Sequence, residues 1–402
     1  MALTQVPPAL LTSTTGTGTT VVLSASPTFT GTITTPGVTF SDASSQTAAA
    51  SPYVLKNRII NGDMRIDQRN AGASVTPSSG VTTYTVDRWA TYGSQSSKFT
   101  IQQNAGSVTP PSGFTNYLGV TSSSAYSVSA SDLFLVMHRI EGFNAADLDW
   151  GTANAKTVTL SFWVRSSLTG TFGGSLQNSS QNRNYPFSYT ISAANTWEQK
   201  TITITGDTTG TWLTTNGIGI RLNFGFGVGS TYSGTAGSWS ATEYYSTTGA
   251  TSVVGTNGAT FYITGVQLEV GSTATPFERR LYGQELANCQ RYYYRKNAGS
   301  ASEVIAIVQA FAAGSVYGKL FDLPVTMRAN ATCSVSAASH FTPQNSTGNS
   351  TTAFSAVGGF TNSSTSVVQS GGFSGSSGLT AGNASSIIFN TTSGWIEASA
   401  EL

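Results

Sequence analysis

Charge is scarce in this 402-residue chain: Asp, Glu, Lys and Arg make up 9% of it, and 19 basic against 18 acidic residues leave a net charge of +1. That balance excludes nucleic acid as a partner, since nucleic-acid binding rests on clustered Lys and Arg. Cysteine is nearly absent. Cys289 and Cys333 allow one disulfide at most, so two free thiols are expected and a disulfide-stapled scaffold is excluded. The only histidines, His138 and His340, lie far apart, and neither cysteine has the spacing of a metal knuckle. Carboxylates are too sparse to assign a metal site, although backbone carbonyls leave room for one structural calcium ion. No apolar run reaches the roughly 18 residues that a membrane helix needs, so no membrane insertion is expected. The N-terminus lacks the basic region and apolar core of a secretory signal, and synthesis in a cytoplasm is expected.

What the chain does have is Gly, Ser and Thr in abundance, with 11% aromatic and 39% hydrophobic residues. Disordered chains lack that apolar content. The length exceeds what one core usually supports, so more than one domain is expected. Residues 1–55 hold a single charged residue, Asp42, and consist of short alternating pieces such as "TFTGTITT" between Gly and Pro. None of these pieces can bury a core alone. They suit either a floppy linker or a thin β-stalk, in which Val22, Phe29, Ile33, Val38 and Phe40 meet apolar partners on neighbouring subunits. The β-favouring Val, Ile, Phe and Thr tilt the choice to the stalk.

Residues 56–280 change texture. In "KTVTLSFWVRSS", Val158, Leu160, Phe162 and Val164 point one way, while Thr159, Ser161, Trp163 and Arg165 point the other. "GIGIRLNFGFGVG" repeats the pattern, with Arg221 and Asn223 opposite Ile220, Leu222 and Phe224. Many short strands bounded by turn residues predict an all-β fold with a central jelly-roll β-sandwich. "TPFERRLYGQELANCQRYYYRK" breaks the pattern: Tyr282, Leu286, Cys289 and Tyr293 form one stripe of a short linking helix. Residues 281–402 then comprise that helix and a smaller C-terminal β-sandwich domain.

Catalytic chemistry is poorly provided for. No G-x-S-x-G turn occurs, His138 reads as a structural histidine near a sheet surface, and the pairs Asp147/Asp149 and Asp63/Asp67 do not set two carboxylates across a bond. A non-enzymatic protein is expected. Saccharide binding fits better, since sugars are held by flat rings and by polar side chains on an outward sheet face. Trp163, Arg165, Arg221 and Asn223 are the candidates. Tyr185 and the run Gln177, Asn178, Asn182, Arg183 and Asn184 would rim the face. Trp89, Trp150, Trp197 and Trp212 read as core or strand-end residues, and Tyr292 to Tyr294 as junction packing. Charge is concentrated at the two edges of the central domain, in Lys56 to Arg69 and in Glu278 to Lys296. With adjacent termini, Asp63 or Asp67 would pair with Arg279 or Arg280 and fix the domain junction.

Several stretches resemble bacteriophage tail-fibre and receptor-binding proteins with a carbohydrate-module-like jelly roll. They are "NRIINGDMRIDQRN" followed by "YTVDRW", then "TLSFWVRSS", "WEQKTITITGDTTGTW" and "FYITGVQLEVGSTATPFERRLYGQELANCQRYYYR" in the same order. "LPVTMRA", the final "AEL" and the upstream "VTFSDASSQTAA" extend the likeness. The resemblance implies a homotrimer on the virion, its N-terminal stalk attached to other tail or baseplate proteins and its distal domains meeting host surface polysaccharide. Related saccharide modules carry acidic calcium ligands in the final strand, where this chain has Thr264 and Gly265, so no cofactor is expected. Neither the long β-helix of polysaccharide-cleaving tailspikes nor an acidic autocleaving tail is visible. The leading expectation is a non-catalytic receptor-binding tail fibre. The alternatives are a depolymerase tailspike with a shallow acidic site and a purely structural fibre or collar subunit.

Overall fold

The computed structural model describes residues 38–39, 45–46, 56–345, 347, 352–358 and 364–402. In the N-terminal unit, residues 1–52, β1 (Val38–Thr39) and β2 (Ser45–Gln46) pair antiparallel, Val38 opposite Gln46. The expectations for Val22, Phe29, Ile33 and Phe40, and with them most of the stalk, lie outside the described residues.

The described residues from Lys56 onward belong to one compact all-β unit. Its first part holds β3 (Thr83–Tyr84), β4 (Trp89–Gly93), β5 (Phe99–Gln103), β6 (Leu118–Ser122), β7 (Leu133–Glu141), β8 (Val158–Ser166) and β9 (Gly170–Gln177). There follow β10 (Asn184–Ile191), β11 (Glu198–Ile204), β12 (Ile218–Val228), β13 (Ser233–Gly234), β14 (Ser246–Thr247) and β15 (Thr260–Val270). A six-stranded sheet in the order β10-β9-β12-β7-β4-β3 faces a five-stranded sheet in the order β11-β8-β15-β6-β5. This is the jelly-roll sandwich that the alternation predicts. Val158, Leu160, Phe162 and Val164 of β8 and Ile220, Leu222 and Phe224 of β12 are buried between the sheets. Phe162 and Phe224 meet edge to face, their centroids 5.0 Å apart. Removing one such ring would cost about 3–5 kcal/mol through lost burial and the cavity left behind.

His138 lies deeper than the sequence suggests. It is buried beside Trp89, its Nε2 donates to the Ile60 carbonyl at 3.1 Å, and burial together with nearby Arg88 pushes its pKa well down. It is therefore a neutral core residue: β7 buries Phe134, Val136, His138 and Ile140 on one face, and His138 falls in that register.

The second part comprises α1 (Tyr282–Gln290), then β16 (Tyr293–Asn297), β17 (Val304–Ala312), β18 (Ser315–Asp322), β19 (Thr332–Val335), β20 (Phe341–Gln344), β21 (Ala356–Val357), β22 (Val367–Ser374), β23 (Ala384–Phe389) and β24 (Trp395–Ser399). A three-stranded sheet (β16-β24-β19) and a six-stranded sheet (β20-β23-β17-β18-β22-β21) enclose a smaller core that includes Val316, Phe341, Phe373 and Phe389. The helical stripe is shorter than its spacing suggests. Leu286 and Cys289 pack toward Ile60, Ile66 and Tyr292, but Tyr282 is exposed and Tyr293 already belongs to β16.

A polar junction joins the two parts, and the opening segment Asn57–Asn70 is its hub. Asn61 donates from its amide to the carbonyls of Ile66 and Asp87, and its own carbonyl accepts the Trp89 indole N–H. Its backbone N–H donates to Glu285 of α1. Buried Glu141, at the end of β7, accepts both arms of Arg291 at 2.7 and 2.9 Å and the Tyr292 hydroxyl at 2.6 Å. Glu401 pairs with Arg88 and, at 3.0 Å, with Arg69, while the guanidinium of Arg69 lies 3.4 Å from the Tyr293 ring centroid.

The two charged segments do meet, though through other partners than expected. Arg280 donates to the carbonyls of Asn57 and Ile59 and pairs with Glu278 and Glu285, while Arg65 donates to the Arg280 carbonyl at 2.7 Å. Asp63 pairs with its neighbour Arg65 at 3.2 Å, and Asp67 accepts the backbone N–H groups of Asn70 and Gly72. Arg279 stacks over Phe114 and Phe277. Local geometry wins at Asp67, whose carboxylate closes its own turn before it can reach an arginine.

Candidate functional site

The five sugar-binding candidates do not share a face. Trp163 and Arg165 project from the outer face of the five-stranded sheet, Arg221 and Asn223 from the outer face of the six-stranded sheet, and Tyr185 into the core between them. Tyr185 belongs to the interior because β10 alternates: Tyr185, Phe187, Tyr189 and Ile191 face inward, and Tyr185 meets Trp239 edge to face at 5.2 Å.

The outer face of the five-stranded sheet is occupied by the protein itself. Arg165 Nε donates to the Asn195 carbonyl at 3.0 Å, and its guanidinium lies over Tyr262, which packs with Tyr117, itself in contact with Trp197. Trp163 sits at a bulge in β15 where Gly265 has φ +61°; a Cβ there would stand 2.6 Å from the Phe114 ring and 3.2 Å from Trp163. Thr264 donates its hydroxyl to the Asn116 carbonyl at 2.7 Å. The run from Gln177 to Asn184 is an ordered hairpin turn: Asn178 Oδ1 accepts from the N–H groups of Asn182 and Arg183, and Arg183 makes a double bond-pair to Asp207, each contact 2.7 Å.

The outer face of the six-stranded sheet is the better candidate. Its registers set side chains in rows. Asn184, Gln177, Arg221 and Arg139 form one; Pro186, Ser175, Asn223, Met137, Ala90 and Tyr84 form the next; Ser188, Gly173, Gly225, Leu135 and Tyr92 form a third. The glycines of the third row let the β13–β14 flap lie directly on the sheet. A Cβ on Gly173 would stand 2.7 Å from the Thr247 backbone nitrogen. Beside the flap, Tyr84, Tyr92, Leu133, Val228 and Tyr245 pack half-buried around Ala90, Leu135 and Met137.

Polar side chains border this apolar platform. Asn223 is buried; its amide donates to Ser175 Oγ at 3.1 Å and Gln177 Oε1 at 3.0 Å, so it holds the sheet face rather than offering itself to a ligand. Glu243 accepts from Gln181 and from the Tyr245 hydroxyl, each at 2.6 Å. Burial and Glu243 raise the Tyr245 pKa, and burial raises that of Tyr84, so both phenols stay protonated donors. Half-buried Arg221 lies directly opposite Arg139, and burial, then Arg139, lower its pKa.

Of the named candidates, Arg221 alone presents an open side chain here. Tyr84, Tyr92, Arg139 and Tyr245 went unrecognised. The signal was in "DLFLVMHRIE", where Leu133, Leu135, Met137 and Arg139 form a second face opposite the core-facing residues. An apolar stripe ending in an arginine on a solvent-side face is unusual for a purely structural strand. Among the described residues, no group of at least three His, Cys, Asp or Glu side chains converges to hold a metal ion, and no helix is long and apolar enough to cross a membrane.

No protein-family model and no curated protein matches the sequence. Among solved structures, similarity is found to the enzymatically active domain of tailspike protein 4 of bacteriophage CBA120, at 12% identity and a TM-score of 0.29. That match covers 56% of this chain and 23% of the tailspike chain. A putative sugar-binding protein from Bacteroides thetaiotaomicron matches at 11% identity and a TM-score of 0.31, over 54% of this chain and 100% of the other. A family 11 carbohydrate-binding module from Clostridium thermocellum, in complex with a mixed-linked tetrasaccharide, matches at 11% identity and a TM-score of 0.26, over 50% and 98%. All three TM-scores lie below 0.5.

Proposed function

We propose that this chain is a non-catalytic attachment protein, a phage tail fibre or its receptor-binding part, that adheres to cell-surface polysaccharide through the outer face of the six-stranded sheet. The observation that carries the reading is the platform of Tyr84, Tyr92 and Tyr245 around Leu135 and Met137, bordered by Arg221, Arg139 and Gln181. Sugar rings offer C–H faces to aromatic rings and hydroxyls to amides and guanidinium groups, and this sheet face carries both kinds of group side by side. The phage setting draws its support from the resemblance of "NRIINGDMRIDQRN" and "QLEVGSTATPFE" to fibre heads. The carboxylates near the platform are engaged, Glu243 by Gln181 and Tyr245 and Glu401 by Arg69 and Arg88. Glycoside cleavage needs two carboxylates flanking the bond, which favours adhesion over cleavage. A weak site of this kind gains avidity when several copies act together.

The test is binding of the full chain to a panel of bacterial capsular and O-polysaccharides. Tyr84→Ala and Tyr92→Ala are each expected to weaken the bound polymer about threefold to tenfold, while Trp163→Ala, on the opposite sheet, leaves binding unchanged. Loss of binding in Trp163→Ala with none in the tyrosine variants would place the site elsewhere. A fall in polymer length on incubation would replace adhesion by cleavage.

A further inference from the structure

Among the described residues, seven of the thirteen arginines meet a carboxylate within ion-pair distance, Arg58, Arg183 and Arg291 among them. Arg165, Arg295 and Arg328 bond to carbonyl or amide oxygens at 3.0 Å or less, and Arg279 lies over two aromatic rings. Arg221 is held more weakly than these. Among the described residues its one hydrogen bond runs from Nη2 to the Ser179 carbonyl at 3.3 Å, and its buried Nε has no partner. Directly across the ladder stands Arg139, whose Nη1 donates to the Leu402 carbonyl and whose buried Nε is likewise unpartnered. Like charges on directly opposed residues of a sheet are destabilising, and a half-buried guanidinium held by one long bond recovers only part of its desolvation cost. Glu243 is close enough to act on Arg221 electrostatically, yet its carboxylate is spent on Gln181 and Tyr245. The fold therefore keeps an uncompensated guanidinium beside the tyrosine platform at a cost in stability.

Resting on the saccharide reading above, we infer that the ligand is an acidic saccharide, and that its carboxylate, as in a uronic acid, docks on Arg221 beside Arg139. A planar carboxylate accepts two parallel N–H bonds from a guanidinium, which Nη1 and Nη2 of Arg221 can supply once the long bond to Ser179 gives way. The sugar ring bearing that carboxylate would lie toward the rings of Tyr84 and Tyr245, whose hydroxyls already donate to the Leu402 carbonyl and to Glu243.

The test uses matched oligosaccharide pairs, each a uronic-acid-bearing member and its carboxyl-reduced twin, with dextran sulfate as a probe of unspecific charge. Acidic members are expected to bind at least tenfold more tightly than their twins. Arg221→Met should weaken the acidic member about tenfold to a hundredfold, the loss of a charged hydrogen-bond pair, and weaken the reduced twin by a clearly smaller factor. Arg221→Lys, which keeps the charge but not the fork, should fall between. The melting temperature of Arg221→Met should equal or exceed that of the parent, because the variant removes an uncompensated charge; a clear fall would mark Arg221 as structural and overturn the inference. Equal binding of acidic and reduced twins would overturn it while leaving the saccharide reading intact, and dextran sulfate binding as tightly as the uronates would reduce it to general electrostatics. Absence of binding to every pair, with the tyrosine variants silent as well, would remove both readings together.

Discussion

Replacing Glu141 by Ala should loosen the joint between the jelly roll and the C-terminal sandwich. The Glu141 side chain is 1% exposed and accepts three hydrogen bonds, two from Arg291 and one from the Tyr292 hydroxyl. Breaking a buried charge pair from one side typically costs about 3–5 kcal/mol, mostly through the charge left behind. Here the Arg291 side chain is 35% exposed, so water can take back part of its guanidinium. Tyr292 is fully buried and cannot be rescued that way, which adds an unsatisfied hydroxyl worth about 1–3 kcal/mol. The lower half of the range, about 3–4 kcal/mol, is the working figure. Urea denaturation followed by tryptophan fluorescence reads it, and the variant should show the C-terminal sandwich melting ahead of the jelly roll, since the two have separate apolar cores. Asp322→Ala is the control: its pair with Lys319 is 68% and 49% exposed, and its loss should stay within about 0.5 kcal/mol. If Glu141→Ala and Asp322→Ala proved indistinguishable, the polar junction would not be what couples the two sandwiches.

Two further outcomes follow from buried groups and close approaches. Burial pushes the Asp87 carboxyl up to about 7 despite hydrogen bonds from Gln68. The folded state then holds a proton that the unfolded chain has released between about pH 4 and 7, so stability falls as pH rises through that window and levels off above it. Asp87→Asn should flatten this part of the curve of melting temperature against pH; a curve parallel to the parent's would refute the assignment. Gly173→Ala should push the Ser246–Thr247 strand off the sheet, costing about 1–3 kcal/mol of stability by overpacking and weakening saccharide binding measured on the same panel.

Period-two alternation made the sheets legible, because a strand with one buried face writes its orientation into every second residue, as Val158 to Val164 and Ile220 to Phe224 do. Which outer face stays open was not legible. That depends on long-range loops: the segment carrying Phe114 covers the bulge at Gly265, and the flap at Ser246–Thr247 covers only part of the opposite sheet. Tyr185 shows the limit of composition alone, since a tyrosine beside a polar turn reads as a rim until the pairing of β9 with β10 sets its side inward. The charged segments around Asn57 and Arg280 do lie side by side, but side-chain partners at a junction depend on ångström-scale placement, and Asp67 and Arg280 each have nearer partners than one another.

Asn61 ties together Ile66, Asp87, Trp89 and Glu285, and Glu401 bridges Arg69 and Arg88. The practical unit of exchange is therefore larger than the jelly roll. A graft of residues 57–280 onto another protein would carry its own core yet leave Arg88 without a counter-charge and the Asn61 N–H without an acceptor. A graft that keeps α1, the tyrosines after it and the final residues of the chain moves the jelly roll together with the polar lock that holds it.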